Sequence, residues 1–273
     1  QGLDQRRAAD LAAEEINAAG GILGKKIQLV YRDTKSNPKI ARENAIELFD
    51  KEGVPMIFGG SSSAVIVAVG KVAKERKKLA FGTLTYATEV TGEEGHKFIF
   101  RECYDSYMAA RVLSDYLKKN FAGKKYFYIT SDYNWGWTTE DAFRKFTDTT
   151  DRHIHKGILT KLGTTDFKAP LLIAEEANPD VLILVQFGRD MEIALKQAYE
   201  MGLKKKMQIV VPNLNEDMAE GAGPEAMEGV LGTLPWSWKI PFEKGYQRGI
   251  DFVKKFEERY KRYPTTSGAS AYV

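Results

Sequence analysis

A run of serines is the part of this chain whose residue types and position are best suited to binding a small molecule. The serines at 61–63 come after a strand predicted at 55–58, and Ser63 falls at the predicted N-cap of a helix at 64–77. Open α/β sheets bind ligands beyond the carboxyl ends of their strands, where loops and helix N-termini converge. The Ser63 hydroxyl and the first backbone N–H groups of the helix are therefore placed to bind a carboxylate, helped by the helix dipole. The alternative is that these serines only cap the helix and form the turn.

Patterns typical of catalysis are missing from the sequence. It contains no nucleophile elbow, phosphate-binding loop, dinucleotide fingerprint or metal-ligand spacing, and the glycines of 221–229 lack the dinucleotide spacing. His153 and His155 alternate on a strand predicted at 153–160, but no third metal ligand is evident. Cys103 is the single cysteine, so no internal disulfide can form, and we expect it to be a small buried hydrophobe. We predict a protein that is not an enzyme and needs no cofactor or metal.

Composition and charge exclude two further classes of protein. The chain has 273 residues, of which 43% are hydrophobic and 28% charged, and its net charge is +3. Acidic and basic residues are mixed along the chain, whereas nucleic-acid binding needs clustered positive charge. The lysine-rich runs at 74–78 and 204–206 are predicted at helix ends, where lysine suits the helix dipole. No uninterrupted apolar stretch approaches the roughly 18 residues of a membrane-spanning helix.

Strands and helices are predicted to alternate along the whole chain. Helices are expected from the start to Gly20-Gly21, and then at 38–52, 64–77, 106–121, 136–147, 167–177, 189–202 and 242–262. Strands are expected at 26–31, 55–58, 79–83, 98–101, 125–130, 153–160, 180–185, 207–211 and 229–234. Alternation of this kind predicts βαβ crossovers and parallel sheets, hence an α/β fold, and the length favours two lobes over one large sheet.

The two ends of the sequence suggest that the fold is incomplete here. The chain opens at Gln1 on a predicted helix with no strand before it, and it closes on the apolar stretch 269–273. A doubly wound lobe normally opens on a central strand, so we expect the sequence to be trimmed at both ends. No targeting signal is visible, and the residues alone do not decide the compartment.

Five stretches along the chain together resemble a known family, in order and spacing. They are EEINAAGGILGKKIQLVYRDTKSNP (14–38), IFGGSSSAVIVAVGKVAKERKKLAFGTLTYATEVT (57–91), YITSDYNWGW (128–137), ALKQAYEMGLKKKMQIVVP (194–212) and EGVLGTLPW (228–236). The sequence is similar to the type I periplasmic binding proteins of the branched-chain amino-acid ABC transporters, the leucine-binding protein-like family. The resemblance spans nearly the entire chain.

The resemblance implies a fold and a function. The fold would be two Rossmann-like lobes with parallel sheets joined by a hinge, with residues 1–104 and 236–273 in the first lobe and 105–235 in the second. The function would be extracytoplasmic capture of a small carboxylated solute in the interlobe cleft by hinge closure, followed by delivery to the membrane permease. We expect a monomer in the periplasm or at the cell surface. The alternative is the ligand-sensing ectodomain of a signalling receptor with the same fold.

The resemblance also implies which side chains meet the ligand. In addition to Ser63, the hydroxyl-bearing second loop of the family falls on Thr85 or Tyr86, and a one-residue shift exchanges the two. Aromatic residues of the other lobe would close over the apolar part of the ligand, although an aromatic after a strand also suits core packing. The remaining predicted ligand-binding residues are Tyr133, Trp135, Phe187, Tyr104, Asn213 and Gln1. Tyr104 and Trp236 lie at the two crossings between the lobes, and for both the alternative is that they pack the hinge and do not line the cleft.

Asn213 is the most informative departure from the family pattern. The amino-acid binders commonly carry an acid in this loop, which pairs with the ammonium group of the ligand. Asn213 offers an amide without a counter-charge, and an ammonium left without a partner in a dry cleft would be costly. Asp105, Glu216 and Asp217 are alternative partners. The ligand is therefore predicted as a branched-chain or aliphatic amino acid or an apolar or aromatic acid, with the acid favoured.

Overall fold

The computed structural model describes all 273 residues, and the chain divides into two compact units. The first unit comprises Gln1–Cys103 and Pro235–Val273, and the second comprises Tyr104–Leu234. Each unit contains one sheet in which every strand pair is parallel. The predicted α/β class with two parallel sheets is confirmed.

The elements alternate along the chain much as the sequence predicts. The strands are β1 Met56–Gly59, β2 Leu79–Gly82, β3 Ile99–Arg101, β4 Tyr126–Ser131, β5 Gly157–Thr160, β6 Val181–Val185, β7 Gln208–Val211 and β8 Leu231–Gly232. The helices are α1 Gly2–Ala18, α2 Pro38–Asp50, α3 Ser63–Arg76, α4 Ser106–Phe121, α5 Asn134–Phe146, α6 Lys168–Ala177, α7 Arg189–Glu200, α8 Glu216–Ala222, α9 Pro224–Met227, α10 Ile240–Lys244, α11 Gln247–Tyr260 and α12 Thr266–Tyr272. None of these helices combines the length and the apolar character that crossing a bilayer requires.

The first unit holds a three-stranded sheet in the order β1-β2-β3. Asn37 caps α2 through hydrogen bonds from the backbone N–H groups of Lys39 and Ile40, as its position before a proline predicts. A second core lies where α1 meets α11 and α12; its buried members are Ala8, Leu11, Phe252, Val253, Phe256 and Ala269. Asp4 of α1 fastens this corner, because its Oδ2 accepts hydrogen bonds from the N–H and hydroxyl of Thr265 at 2.9 and 2.6 Å.

The second unit holds a five-stranded sheet in the order β5-β4-β6-β7-β8. All residues of β4 and β6 are buried, because helices cover both faces of the central strands. This explains why 181–185 (VLILV) is apolar without alternation. Helices α6 to α9 pack one face, where Phe167, Leu171, Leu195 and Met218 are fully buried.

The strand predicted at 26–31 and the placement of His153 and His155 on a strand are wrong. Residues 26–31 are not a strand, since the backbone N–H and C=O of Ile27 both bond to the Asn17 side chain and no neighbouring strand pairs with the segment. His153 and His155 lie in a turn before β5 and not on a strand, because Asp151 binds the backbone N–H of both through its side chain and carbonyl.

Helix boundaries in the last third of the chain also differ from the prediction. The single helix expected at 242–262 is two helices, because Gly245 takes a positive φ of 67° between α10 and α11. Helices α8, α9 and α12 were not predicted, since they are only 4 to 7 residues long. Trp236 packs against the apolar cluster of α11, with its ring centroid 6.2 Å from that of Phe252.

Candidate functional site

Hydroxyl side chains gather at the carboxyl ends of β1 and β2 in the first unit. We call Ser62, Ser63, Thr83 and Thr85 the hydroxyl cluster; all four are buried. Ser62, and not Ser63, is the N-cap of α3, so the predicted cap is displaced by one residue. Ser63 is the first helical residue, and its Oγ accepts a hydrogen bond of 3.0 Å from the backbone N–H of Ala87. This bond ties the start of α3 to the loop that follows β2.

Thr85 and Tyr86 both lie in that loop, and their surroundings differ. Thr85 is fully buried, and its N–H donates to Cys103 Sγ at 3.3 Å. A Cβ at Gly82 would lie 2.2 Å from Thr85 Oγ1, so only glycine leaves room for this hydroxyl. Tyr86 is also buried, with 3% of its surface exposed. Burial raises the pKa of the Cys103 thiol to about 11, so the thiol stays protonated and inert at neutral pH.

Three hydroxyl groups of this cluster are buried without a partner. Ser62 Oγ, Thr83 Oγ1 and Thr85 Oγ1 make no hydrogen bond within the protein. Buried polar atoms almost always have a partner, so three such atoms within one loop pair call for an explanation. A bound ligand with several oxygen atoms would supply it.

Gln1 lies at the start of α1 as its N-cap residue. Its backbone carbonyl accepts from the N–H groups of Asp4 and Gln5, both at 3.0 Å, and so begins α1. Gln5 contacts the loop that follows β1, with its Nε2 donating to the carbonyl of Gly60 at 3.5 Å. Gln5 could not be singled out from the sequence, because its contact with Gly60 joins residues 55 positions apart.

In the second unit the predicted aromatic residues form one contiguous cluster. We call Tyr133, Trp135 and Phe187 the aromatic wall. The ring centroids of Tyr133 and Trp135 are 5.8 Å apart, and those of Trp135 and Phe187 are 5.7 Å apart at 61°, an edge-to-face contact. Trp135 is 2% exposed, yet its Nε1 donates no hydrogen bond. The aromatic wall is thus apolar except for one buried hydrogen-bond donor, the Trp135 Nε1–H group, which has no partner in the protein.

Asn213 and Tyr104, predicted separately, are joined in the same unit. Asn213 follows β7 and is fully buried, and its Nδ2 donates to Tyr104 Oη at 2.7 Å. The Tyr104 hydroxyl donates onward to the carbonyl of Thr233 at 3.4 Å, which favours this orientation of the Asn213 amide. Asn213 Oδ1 is left buried without a partner. The atom without a hydrogen-bond partner, Asn213 Oδ1, is an uncharged acceptor.

The three carboxylates named as alternative partners for a ligand ammonium, Asp105, Glu216 and Asp217, all lie at the N-termini of helices. Asp105 caps α4, because its Oδ1 accepts from the backbone N–H of Met108 at 2.8 Å. Glu216 and Asp217 occupy the first turn of α8, where a negative charge suits the helix dipole. Asp190, in the first turn of α7, accepts from Gly163 N–H at 2.8 Å, and burial raises its pKa above the ordinary value.

Sequence reasoning missed four residues that the structure places at these strand ends: Gln5, Ser62, Thr83 and Gln186. Ser62 and Thr83 each lie within two residues of a predicted site residue, so the loops were found although the individual hydroxyls were not. Gln186, next to Phe187, gives no signal in a sequence, because an amide is informative only once its partners are known.

The comparisons with known proteins agree on a family. The family model described as "Periplasmic binding protein" matches residues 1–273. A relative named Leu/Ile/Val-binding protein homolog 8, from Brucella abortus, is 30% identical over 279 aligned positions, covering 96% of this chain and 67% of the relative. A solved periplasmic binding protein from Burkholderia mallei has a TM-score of 0.89 at 24% identity, covering all of this chain and 70% of that one. A solute-binding protein from R. palustris, solved with benzoate, has a TM-score of 0.85 at 22% identity, covering 98% and 72%.

The fold and the residues at its strand ends thus define a solute-binding protein of two α/β units, and the predicted type I fold is confirmed. The chain belongs to the periplasmic binding protein family. It spans 54 to 67% of the length of the first curated relatives that it matches, so their ligands and partners carry over only as proposals.

Proposed function

We propose that this chain captures a small carboxylated solute outside the cytoplasm for an ABC-type uptake system, without chemical turnover. The observation that supports this most directly is a group of five among the buried polar atoms that make no hydrogen bond within the protein. All five lie just beyond the carboxyl ends of strands, either in a loop or in the first turn of the helix that follows, and this is the edge at which α/β sheets bind ligands. They are Ser62 Oγ, Thr83 Oγ1, Thr85 Oγ1, Trp135 Nε1 and Asn213 Oδ1.

The hydroxyl cluster fits the carboxylate end of the ligand. Hydroxyl groups donate hydrogen bonds, and α3 adds its positive end, because the Ser62 side chain makes no capping hydrogen bond. Hydrogen bonds to a charged acceptor contribute about 1.5–3 kcal/mol each, which is enough to select for a carboxylate.

The aromatic wall fits the apolar body of the ligand. Trp135 is held between two other rings, so it offers a rigid face at little entropic cost. Its spare N–H would suit a ligand oxygen at the edge of the apolar part.

The amide at position 213 favours a ligand that carries no ammonium group. Asp105 caps a helix, and the wall itself supplies no carboxylate. At position 213 a buried ammonium would meet the dipole of Asn213 Oδ1 in place of a carboxylate. Glu216 and Asp217 lie in the first turn of α8, where their charge already interacts with the helix dipole, so the cost of desolvating the ammonium would be poorly compensated. We propose an aliphatic or aromatic acid over the corresponding amino acid.

The family resemblance supplies the remaining parts of the proposal. It implies that both units bind one ligand, that a hinge closes on it, and that the closed protein is recognised by a membrane permease. Hinge closure requires that the ligand bind the closed form more tightly than the open form. These points stay predictions.

A thermal-shift experiment with matched ligand pairs tests the proposal. The pairs are leucine with 4-methylpentanoate and phenylalanine with 3-phenylpropanoate, and each differs only in the amino group. A ligand that binds only the folded state raises the melting temperature, and at equal concentration the ligand that binds more tightly raises it more. We expect the larger shift from the acid in each pair, and recovery of the ligand unchanged after incubation. A shift from the amino acids alone would refute the preference, and a chemically altered ligand would refute the binding-only function.

A further inference from the structure

Gln186 lies at the end of β6, fully buried, and its side chain connects three strands of the second unit. Its Nε2 donates to the carbonyl of Ile129 on β4 at 3.1 Å and to the hydroxyl of Thr160 on β5 at 3.0 Å. Its Oε1 accepts a hydrogen bond of 2.8 Å from the hydroxyl of Ser131, the last residue of β4. Both donors and the acceptor of this amide are therefore used.

Two sets of contacts connect the Gln186 amide to the aromatic wall. The first runs through Ser131, since a Cβ at Gly136 would lie 1.9 Å from the Ser131 carbonyl oxygen. The first turn of α5, which carries Trp135, is therefore seated directly on Ser131. The second runs along the chain, because Phe187 follows Gln186 and meets Trp135 edge to face.

We propose that Gln186 is a positioning residue for ligand binding: it fixes the ends of β4, β5 and β6 so that Trp135 and Phe187 are held at their present angle. The proposal rests on the proposed function of the aromatic wall. It assigns a role in affinity to a side chain that need not touch the ligand. A site whose supporting residues are satisfied and rigid loses less entropy when the ligand binds.

Two variants separate this role from simple stabilisation. Gln186→Leu removes the donor to the Ile129 carbonyl and the acceptor of the Ser131 hydroxyl, and it leaves the Thr160 hydroxyl with only its bond to the Thr130 carbonyl at 3.5 Å. We expect the Kd for 4-methylpentanoate or leucine, whichever the wild type binds, to rise by about tenfold. Gln186→Glu keeps the shape. Its carboxylate cannot donate to Ile129, whereas its protonated form can, so we expect the loss of affinity relative to wild type to shrink as pH falls from 8 to 5.

Thr149→Val is the matched control in the same unit. It removes a buried hydrogen bond of 2.6 Å to Tyr128 Oη and lies outside the predicted ligand surfaces. We expect it to lower the free energy of unfolding while leaving the Kd within twofold of wild type. An equal rise in Kd for Thr149→Val and Gln186→Leu would overturn the proposal, because general softening would then explain both.

Amide hydrogen exchange of the ligand-free protein gives a readout that does not depend on the proposed function. We expect exchange at 131–136 and 187–190 to be about tenfold faster in Gln186→Leu than in wild type and unchanged in Thr149→Val. If Gln186→Leu does not fold, the same comparison is made with Gln186→Glu at pH 8. If no probe binds the wild type, the proposed function fails, and the exchange rates alone decide the positioning role. Unchanged exchange at both segments would overturn it.

Discussion

The hydroxyl cluster and the aromatic wall occupy equivalent places in their sheets, yet they are built from opposite chemistry. The hydroxyl cluster follows β1 and β2 and presents small polar groups near the start of α3. The aromatic wall follows β4 and β6 and presents three rings, with the amide of Asn213 beyond β7. Neither surface carries a charged side chain of its own. Under the proposed function, the first unit would bind the charged end of a ligand and the second would bind its apolar body.

The two surfaces are also stabilised differently. In the first unit, the loop after β2 is held by hydrogen bonds to Ser63 and Cys103 and by close contact with Gly82. In the second, a single buried amide joins three strand ends and the rings pack on one another. A lost hydrogen bond and a lost ring should therefore have distinct consequences, which the following variants measure.

The largest effect is expected from Trp135→Ala. The central ring of the wall is lost, and a buried aromatic anchor of this kind accounts for about 2 kcal/mol or more of binding, roughly 30-fold in Kd. Trp137→Ala on the same helix is the control, because that ring is 48% exposed. Calorimetric titration should show a Kd within twofold of wild type for the control. An equal loss of affinity in the two variants would show that the aromatic wall does not bind the ligand.

Gly82→Ala should have the next largest effect, this time on the hydroxyl cluster. The new methyl group would lie 2.2 Å from Thr85 Oγ1 and would have to displace that hydroxyl. We expect about a tenfold rise in Kd, together with a loss of about 1–3 kcal/mol in stability from overpacking. In Gly2→Ala the added carbon meets nothing within 4 Å, so both quantities should be unchanged. Normal affinity in a destabilised Gly82→Ala would show that Thr85 does not bind the ligand.

Ser63→Ala tests the tie between α3 and the loop after β2. The Ala87 N–H loses its acceptor, which costs about 1–3 kcal/mol in a buried position, and the loop should loosen. We expect a severalfold rise in Kd with a parallel loss of stability. Ser114→Ala, which removes only a bond to the Arg111 carbonyl one turn back on α4, serves as control and should leave the Kd unchanged.

The smallest effect concerns pH and stability in the second unit, away from the wall. Burial and the neighbouring Arg144 guanidinium hold the pKa of His155 below its ordinary value, and its Nδ1 accepts from the Tyr126 N–H at 3.1 Å. The unfolded state then binds the extra proton, so stability should fall as pH drops below about 6.5. Denaturant unfolding of His155→Gln should show a weaker pH dependence than that of wild type. Identical pH dependence in the two proteins would contradict a role for His155.

Much of the architecture follows from local signals in the sequence. Asn37 before a proline locates the start of α2, and the unbroken apolar run 181–185 locates a strand buried on both faces. The site loops follow from the rule that parallel sheets bind ligands at their carboxyl ends. Ser63, Thr85, Tyr133, Trp135, Phe187 and Asn213 all lie at such ends.

What the sequence could not supply depends on contacts between distant segments. Ile27 bonds to a side chain of α1 where a strand partner was expected, and no local pattern reveals this exchange. The N-cap of α3 is Ser62 and not Ser63. Because both residues are serines, the sequence does not distinguish between them. Gln186 becomes significant only through Ile129, Ser131 and Thr160, which lie 26 to 57 residues away.

We propose that a carboxylate meets hydroxyl groups on the first unit, while the second unit offers an amide at the position where an acid would recognise an ammonium. Isothermal titration of leucine and 4-methylpentanoate into the wild type and into Asn213→Asp measures this preference. We predict that the wild type binds 4-methylpentanoate more tightly than leucine, and that Asn213→Asp reverses this order, because the new carboxylate pairs with the ammonium. Tighter binding of leucine by the wild type, with no change of order in Asn213→Asp, would contradict the account.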